Sequence, residues 1–156
     1  MASVKVLKPT QPVNILNTPI APKPYTLSYY EWLSTQGRRV QFYDNRYVSS
    51  LTSINIMTLT NKEVFFITSI TLGGSFGDII PIDGLVYLQG NSSKKIFALL
   101  WLENINNAAI PIIESKNYSI PLRIDGSEAL DMIIEANLNG WCSIQGFIVD
   151  KSLLFF

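Results

Sequence analysis

The 156 residues carry twelve Lys plus Arg against twelve Asp plus Glu, and zero formal charge with a pI near 6.2 excludes a general polyanion-coating role. Hydrophobic residues make up 47% and charged ones 15%, at mean hydropathy +0.22, which excludes an intrinsically disordered chain and leaves about one domain. Histidine is absent, so Ser-His-Asp, Cys-His and His-ligated metal chemistry are excluded together.

The first 24 residues form a distinct segment. Five of the eight prolines (Pro9, Pro12, Pro19, Pro22, Pro24) and three lysines (Lys5, Lys8, Lys23) fall here, with no acid. Proline fixes φ, removes a backbone donor and pushes the preceding residue toward extended geometry, so neither a helix nor a central strand fits. The segment is expected to be an extended arm, 1–24, ahead of a single domain, 25–156. Its Val6, Leu7, Val13, Ile15, Leu16 and Ile20 need a surface, either on their own domain or on a neighbouring subunit. No 7 to 15 residue apolar secretory stretch opens the sequence, so the chain reads as made in a reducing cytoplasm and not exported by that route.

A short helix is expected over Thr26 to Gln36, with Ser28 and Glu31 as a capping box and Gly37 as the stop. Around it the sequence is rich in aromatic rings. Tyr29, Tyr30 and Trp32 could stack on a ligand such as a sugar, or pack arm and helix onto the domain.

From Val40 the pattern turns to short β-rich runs: Val40 to Tyr43, Tyr47 to Thr60, Val64 to Leu72, Leu85 to Leu88, Ile96 to Leu102, Ile110 to Ile113, Tyr118 to Ile124, Leu130 to Ala136 and Trp141 to Val149. Turn residues separate them, including Gly73 to Asp78, Asp83-Gly84, Asp125-Gly126 and Asn139-Gly140, the last a hairpin signal. Even spacing without helical periodicity predicts an all-β fold, an antiparallel sandwich or barrel. Leu130 to Ala136 has helix formers, but its β-branched Ile133 and Ile134 favour strand. In the run from Val64 to Leu72, alternation places Val64, Phe66, Thr68, Ile70 and Leu72 on one face. The longest apolar run, Ile96 to Leu102, is seven residues, too short to cross a membrane as a helix.

Chemistry is sparse. The glycines of Gly73 to Gly77 lack the Gly-Lys-Ser/Thr ending of a phosphate loop. Carboxylate pairs could be drawn from Glu63, Glu103, Glu114 or Glu135, but spacing does not join them. Asp78, Asp83 and Asp125 do not form a calcium-loop run. Cys142 sits in an apolar strand and reads as a buried structural thiol, and a single cysteine allows no internal disulfide. Gly37-Arg38-Arg39 is too little for a nucleic-acid groove. No catalytic residue, cofactor or metal site is expected, and neither nucleic acid nor membrane is an expected partner. The sequence closes on Leu153-Leu154-Phe155-Phe156, and Leu154, Phe155 and Phe156 either complete a core strand or dock on another chain.

The stretch from Val64 to Gly84, with its hydrophobic strand, Gly-rich loop and Ile79-Ile80-Pro81-Ile82-Asp83-Gly84, and the closing Gly140-Trp141-Cys142-Ser143-Ile144-Gln145-Gly146-Phe147-Ile148-Val149 resemble small bacteriophage virion proteins of the jelly-roll type. The resemblance covers Val64 to Val149. It implies a structural protein of the virion, a capsid decoration, cement or fibre-associated component without an active site, that forms oligomers and binds copies of itself and other virion proteins. A carbohydrate- or host-receptor-binding module using aromatic rings, Trp101 and Trp141 among them, is the alternative; a hydrolase built on Glu103 or Glu63 stands third.

Overall fold

The computed structural model describes residues 22–24, 26–103 and 111–154. The expected contact residues Val6, Leu7, Val13, Ile15, Leu16, Ile20, Phe155 and Phe156 lie outside the described residues. The described chain runs α1 (Leu27–Gln36), β1 (Arg38–Val48), β2 (Thr52–Thr58), β3 (Glu63–Phe76), β4 (Asp83–Gly90), β5 (Ile96–Glu103), β6 (Ile112–Asp125), β7 (Ala129–Ile134) and β8 (Leu138–Asp150), then a 3-10 turn at Lys151–Leu153.

Eight antiparallel strands form two four-stranded sheets, β1-β8-β3-β6 and β2-β7-β4-β5. The pairs β1·β8, β2·β7, β3·β6 and β4·β5 are those of one long folded-over hairpin. Rolling that hairpin brings β8 beside β3 and β7 beside β4, which is the jelly-roll winding. The all-β sandwich with one helix ahead of it stands as the sequence pattern predicts.

The helix starts elsewhere than the capping box suggests. Thr26 is its N-cap, the hydroxyl accepting from the Tyr29 N–H at 3.2 Å. At the other end the Gly37 N–H closes the last turn on the Leu33 carbonyl. Strand limits shift for local reasons. The run from Tyr47 to Thr60 breaks after Val48, and β1 instead reaches back through Asp44 and Asn45 to Arg38. The two runs around Asn117 fuse into β6, whose pairing with β3 slips between Leu122 and Asn117, where Pro121 has no N–H to give.

The glycines of Gly73 to Gly77 are strand, not loop, as far as Phe76. A Cβ on Gly73 would lie 1.9 Å from the Trp141 ring, so the glycine lets the indole lie across β3. Asn139-Gly140 is no hairpin either, since β7 and β8 belong to different sheets. The chain crosses between them at Glu135 to Asn137, where Asn137 takes φ 65° and its N–H reaches the Val48 carbonyl at 2.8 Å. Asn tolerates that left-handed conformation better than most residues. Asp83-Gly84 opens β4 instead of forming a turn, whereas Asp125-Gly126 does lead the β6–β7 turn.

Strict alternation along β3 fails at one residue. A bulge at Thr68, between Ile67 and Ser69, flips the parity, and the Thr68 hydroxyl donates to the Gln145 carbonyl at 3.1 Å. Phe65 and Ile67 before the bulge, and Ile70, Leu72 and Phe76 after it, therefore face the same inter-sheet core. Val64 and Phe66 face outward and are still buried, because α1 covers them together with Phe147 and Val149.

Candidate functional site

The outer face of the β1-β8-β3-β6 sheet is closed by aromatic packing. Tyr29 is fully buried and Tyr30 is 7% exposed. Tyr30 meets Phe66 edge-on at 5.7 Å, and Phe66 stacks on Phe147 at 5.3 Å. Trp32 stacks on Tyr29 at 6.1 Å. A ring whose faces are spent on neighbours offers none to a ligand, so Tyr29 and Tyr30 are not the stacking platform the aromatic run suggests. Leu154 is half-buried and packs with Leu153 on this same cluster, which places it on its own chain. Between α1 and the β6 bulge lies a groove of about 590 Å³ lined by Tyr30, Glu31, Arg39, Thr68, Tyr118 and Gln145 among others.

The outer face of the β2-β7-β4-β5 sheet is different. Register sets Asp83 opposite Glu103, Leu85 opposite Trp101 and Tyr87 opposite Leu99, with Ile133 on the other side of Tyr87. The alternate positions Val86, Leu88, Leu100 and Leu102 are buried in the core, so the first set points away from it. No described helix lies over it. Trp101 is 55% exposed and Leu99 39%. Together with Asp83, Leu85 and Glu135 they line a trough of about 400 Å³. Glu135 is held in place twice: its N–H donates to the Leu85 carbonyl at 3.1 Å, and Oε2 accepts from the Leu85 N–H at 2.9 Å.

A polar knot closes the other end of this face. Asp131, the buried charged side chain among the described residues, accepts from Asn91 Nδ2 at 2.6 Å and Asn55 Nδ2 at 3.0 Å. It ties β2, β7 and the β4–β5 turn together. Glu128 caps that turn by accepting from the Ser92 N–H at 2.7 Å.

Several titratable groups are held by local hydrogen bonds or burial. Arg46 donates to Asp44, Nε to Oδ1 at 2.8 Å, and holds that carboxyl below its ordinary value. Thr60, through its N–H and hydroxyl, does the same for Glu63, and the Ser152 N–H for Asp150. Burial, with the Asp44 charge adding, pushes the Cys142 thiol up to about 12, so almost no thiolate forms near neutrality. Of the four glutamates considered for hydrolysis, Glu63 is tied to Thr60, Glu114 lies 3.6 Å from Lys116, Glu135 lines the trough, and Glu103 sits opposite Asp83 across β4 and β5. Arg38 reaches Glu63 at 3.9 Å at the start of β1. No helix among the described residues is long and apolar enough to cross a membrane.

No protein-family model matches the chain, and no curated protein matches it in sequence. Among solved structures it is similar to a chain of the acidic stable capsid structure of Helicobacter pylori bacteriophage KHP30, at 11% identity and TM-score 0.45, over 72% of this chain and 93% of that one.

Proposed function

We propose that the chain is a non-enzymatic structural component of a phage particle, of capsid decoration, cement or fibre-associated type, that assembles with copies of itself and with other virion proteins. The observation that carries this reading is the uncovered β4–β5 face. An apolar strip of Leu85, Tyr87, Leu99 and Trp101 ends at a sheet edge, β5, whose residues Ile96 to Leu102 include no charge and no proline. Charge and proline are what commonly keep such edges from pairing with another chain, and contiguous exposed apolar strips mark interaction surfaces. Of the other three end strands, β6 has such protection in Glu114, Lys116, Pro121 and Arg123 and β1 in Arg38, Arg39, Asp44 and Arg46, while β2 interrupts its apolar run with Ser53 and Asn55. Jelly rolls serve shells, lectins and cupins alike, so the fold does not choose between them and the surface must.

The exposed Trp101 ring also favours a second reading, a glycan-binding platform, since a ring beside carboxylates suits a sugar. The deciding experiment is native mass of the full chain and of a version lacking residues 1–24. A defined oligomer for the first and a folded monomer for the second support assembly through the arm. Identical monomers, with glycan-array binding lost in Trp101→Ala, support the second reading instead.

A further inference from the structure

We propose that the trough around Trp101 is the receptor for the arm of a second copy of this chain, taking the Lys5–Pro12 stretch head to tail. The inference rests on the assembly reading above and gives it a specific contact.

Charge points to a cationic occupant. Asp83 and Glu103 sit directly opposite one another across β4 and β5, an arrangement of like charges that costs stability unless something screens it. Glu135 adds a third carboxylate to the same trough. No ion pair joins any of the three to a cation among the described residues. The stretch 104–110 that follows Glu103 contains no Lys or Arg. The arm has the complementary composition. Residues 1–24 hold three lysines and no acid, leaving nine bases against twelve acids in residues 25–156.

Shape and chemistry agree. Lys5-Val6-Leu7-Lys8-Pro9-Thr10-Gln11-Pro12 alternates cation with apolar side chains and ends in a Pro-x-x-Pro spacing. Such segments are extended before they bind, so they lose little entropy, and they dock in grooves floored by aromatic rings. Trp101 and Leu99, two residues apart on one strand, offer an apolar floor about 7 Å long with the carboxylates at one end.

The trough lies on the opposite sheet from the helix that follows the first described residues. Described chain resumes at Pro22, and α1 lies on the outer face of the β1-β8-β3-β6 sheet, over Val64, Phe66, Phe147 and Val149. Those residues are at the end where Glu63 pairs with Asp150. The trough is on the other sheet and at the other end, where Val86 pairs with Ile134 and the chain crosses to Leu138 within three residues. Twenty-one residues reach about 70 Å at most.

The test uses two full-length variants, each checked for folding by circular dichroism. Lys5→Glu/Lys8→Glu spoils the arm, and Trp101→Ala spoils the trough. Sedimentation should show self-association of the unaltered chain, weakened at least tenfold in either variant alone. Mixed one to one, the variants should form a two-copy complex, because the intact arm of one enters the intact trough of the other. A mixture that stays monomeric overturns the proposal. Variants that assemble like the unaltered chain also overturn it, while leaving assembly through another surface standing. An unaltered chain that is monomeric throughout overturns both this contact and the assembly reading. Glycan binding lost in Trp101→Ala with unchanged mass assigns the trough to a sugar.

Discussion

β3 and β5 are both apolar strands, yet one is covered on two faces and the other on one. Along β3, Phe65 and Ile67 enter the inter-sheet core while Val64 and Phe66 lie under α1, and all four are at most 1% exposed. Along β5, Ala98, Leu100 and Leu102 enter the core while Leu99 and Trp101 stand in the open. The difference lies in what the chain supplies elsewhere: Tyr29, Tyr30 and Leu33 of α1 close the first strand, and no described element closes the second. An apolar run thus states that two faces want cover. It does not state whether the cover is its own.

Breaking the covered face should have the largest effect. Phe66→Ala removes a ring lodged between Tyr30 and Phe147, and should cost about 3 to 5 kcal/mol of stability by urea denaturation. A cost under about 1 kcal/mol would mean that α1 does not truly pack there. Next comes Asp131→Ala, which strands the amides of Asn55 and Asn91 and should cost about 2 to 3 kcal/mol. Asp131 stands in the same outward column of the sheet as the trough residues, so its large cost would show that the open face is rigidly held at one end.

How much of this was legible in the sequence depends on the residue. The strands, the single helix and the sandwich follow from spacing and turn chemistry, and Ile133-Ile134 rightly favoured strand for β7. Single-residue devices were hidden. Thr68 carries nothing to mark it as a bulge, yet it moves Ile70 and Leu72 to the face opposite Val64 and Phe66. Gly73 reads as a turn residue until the Trp141 indole is laid over it, and Asn139-Gly140 reads as a hairpin although the sheet-to-sheet crossing comes at Asn137. The site was half legible. Ile96 to Leu102 stood out as the longest apolar run and Trp101 as a candidate ring, but the approach of Asp83, Glu103 and Glu135 requires the β4–β5 register and the β7–β8 corner. Tyr29 and Tyr30 are packed as part of a lid and Trp32 is partly buried beside them, and aromatic density in the sequence is the same for a platform and for a lid.

Two smaller effects sharpen the contrast between helix-covered and open faces. Thr26→Ala removes the N-cap of α1 and should cost about 1 kcal/mol, loosening the lid without touching the trough. Acid should act mainly on the helix-bearing sheet. Asp44, Glu63 and Asp150 all have carboxyls held below their ordinary values in the fold. Their contribution is present above the unfolded value of about 4 and is lost as pH falls through the folded values. Tm should therefore be flat from about pH 5 to 8, with no histidine to titrate and the Cys142 thiol out of range, and should drop below about pH 4. Asp44→Asn should make that drop shallower, and an unchanged acid limb would remove the Arg46 contact from the account.

The smallest effect on stability belongs to the open face. Trp101 is more than half exposed in the described structure, so Trp101→Ala should change the unfolding free energy by no more than about 0.5 kcal/mol. Phe66 and Trp101 are large aromatic residues on outward positions of the two sheets, and a ratio of several-fold between their costs follows from one being covered by its own chain. Measured at concentrations where the chain is monomeric, equal costs would mean that the Trp101 face is covered within a single copy. Measured where the chain associates, the same substitution should lower Tm by more than it does in the monomer, because whatever binds only the folded form adds to its stability in proportion to occupancy. A gap between the two measurements is the thermodynamic mark of a face kept apolar for a partner.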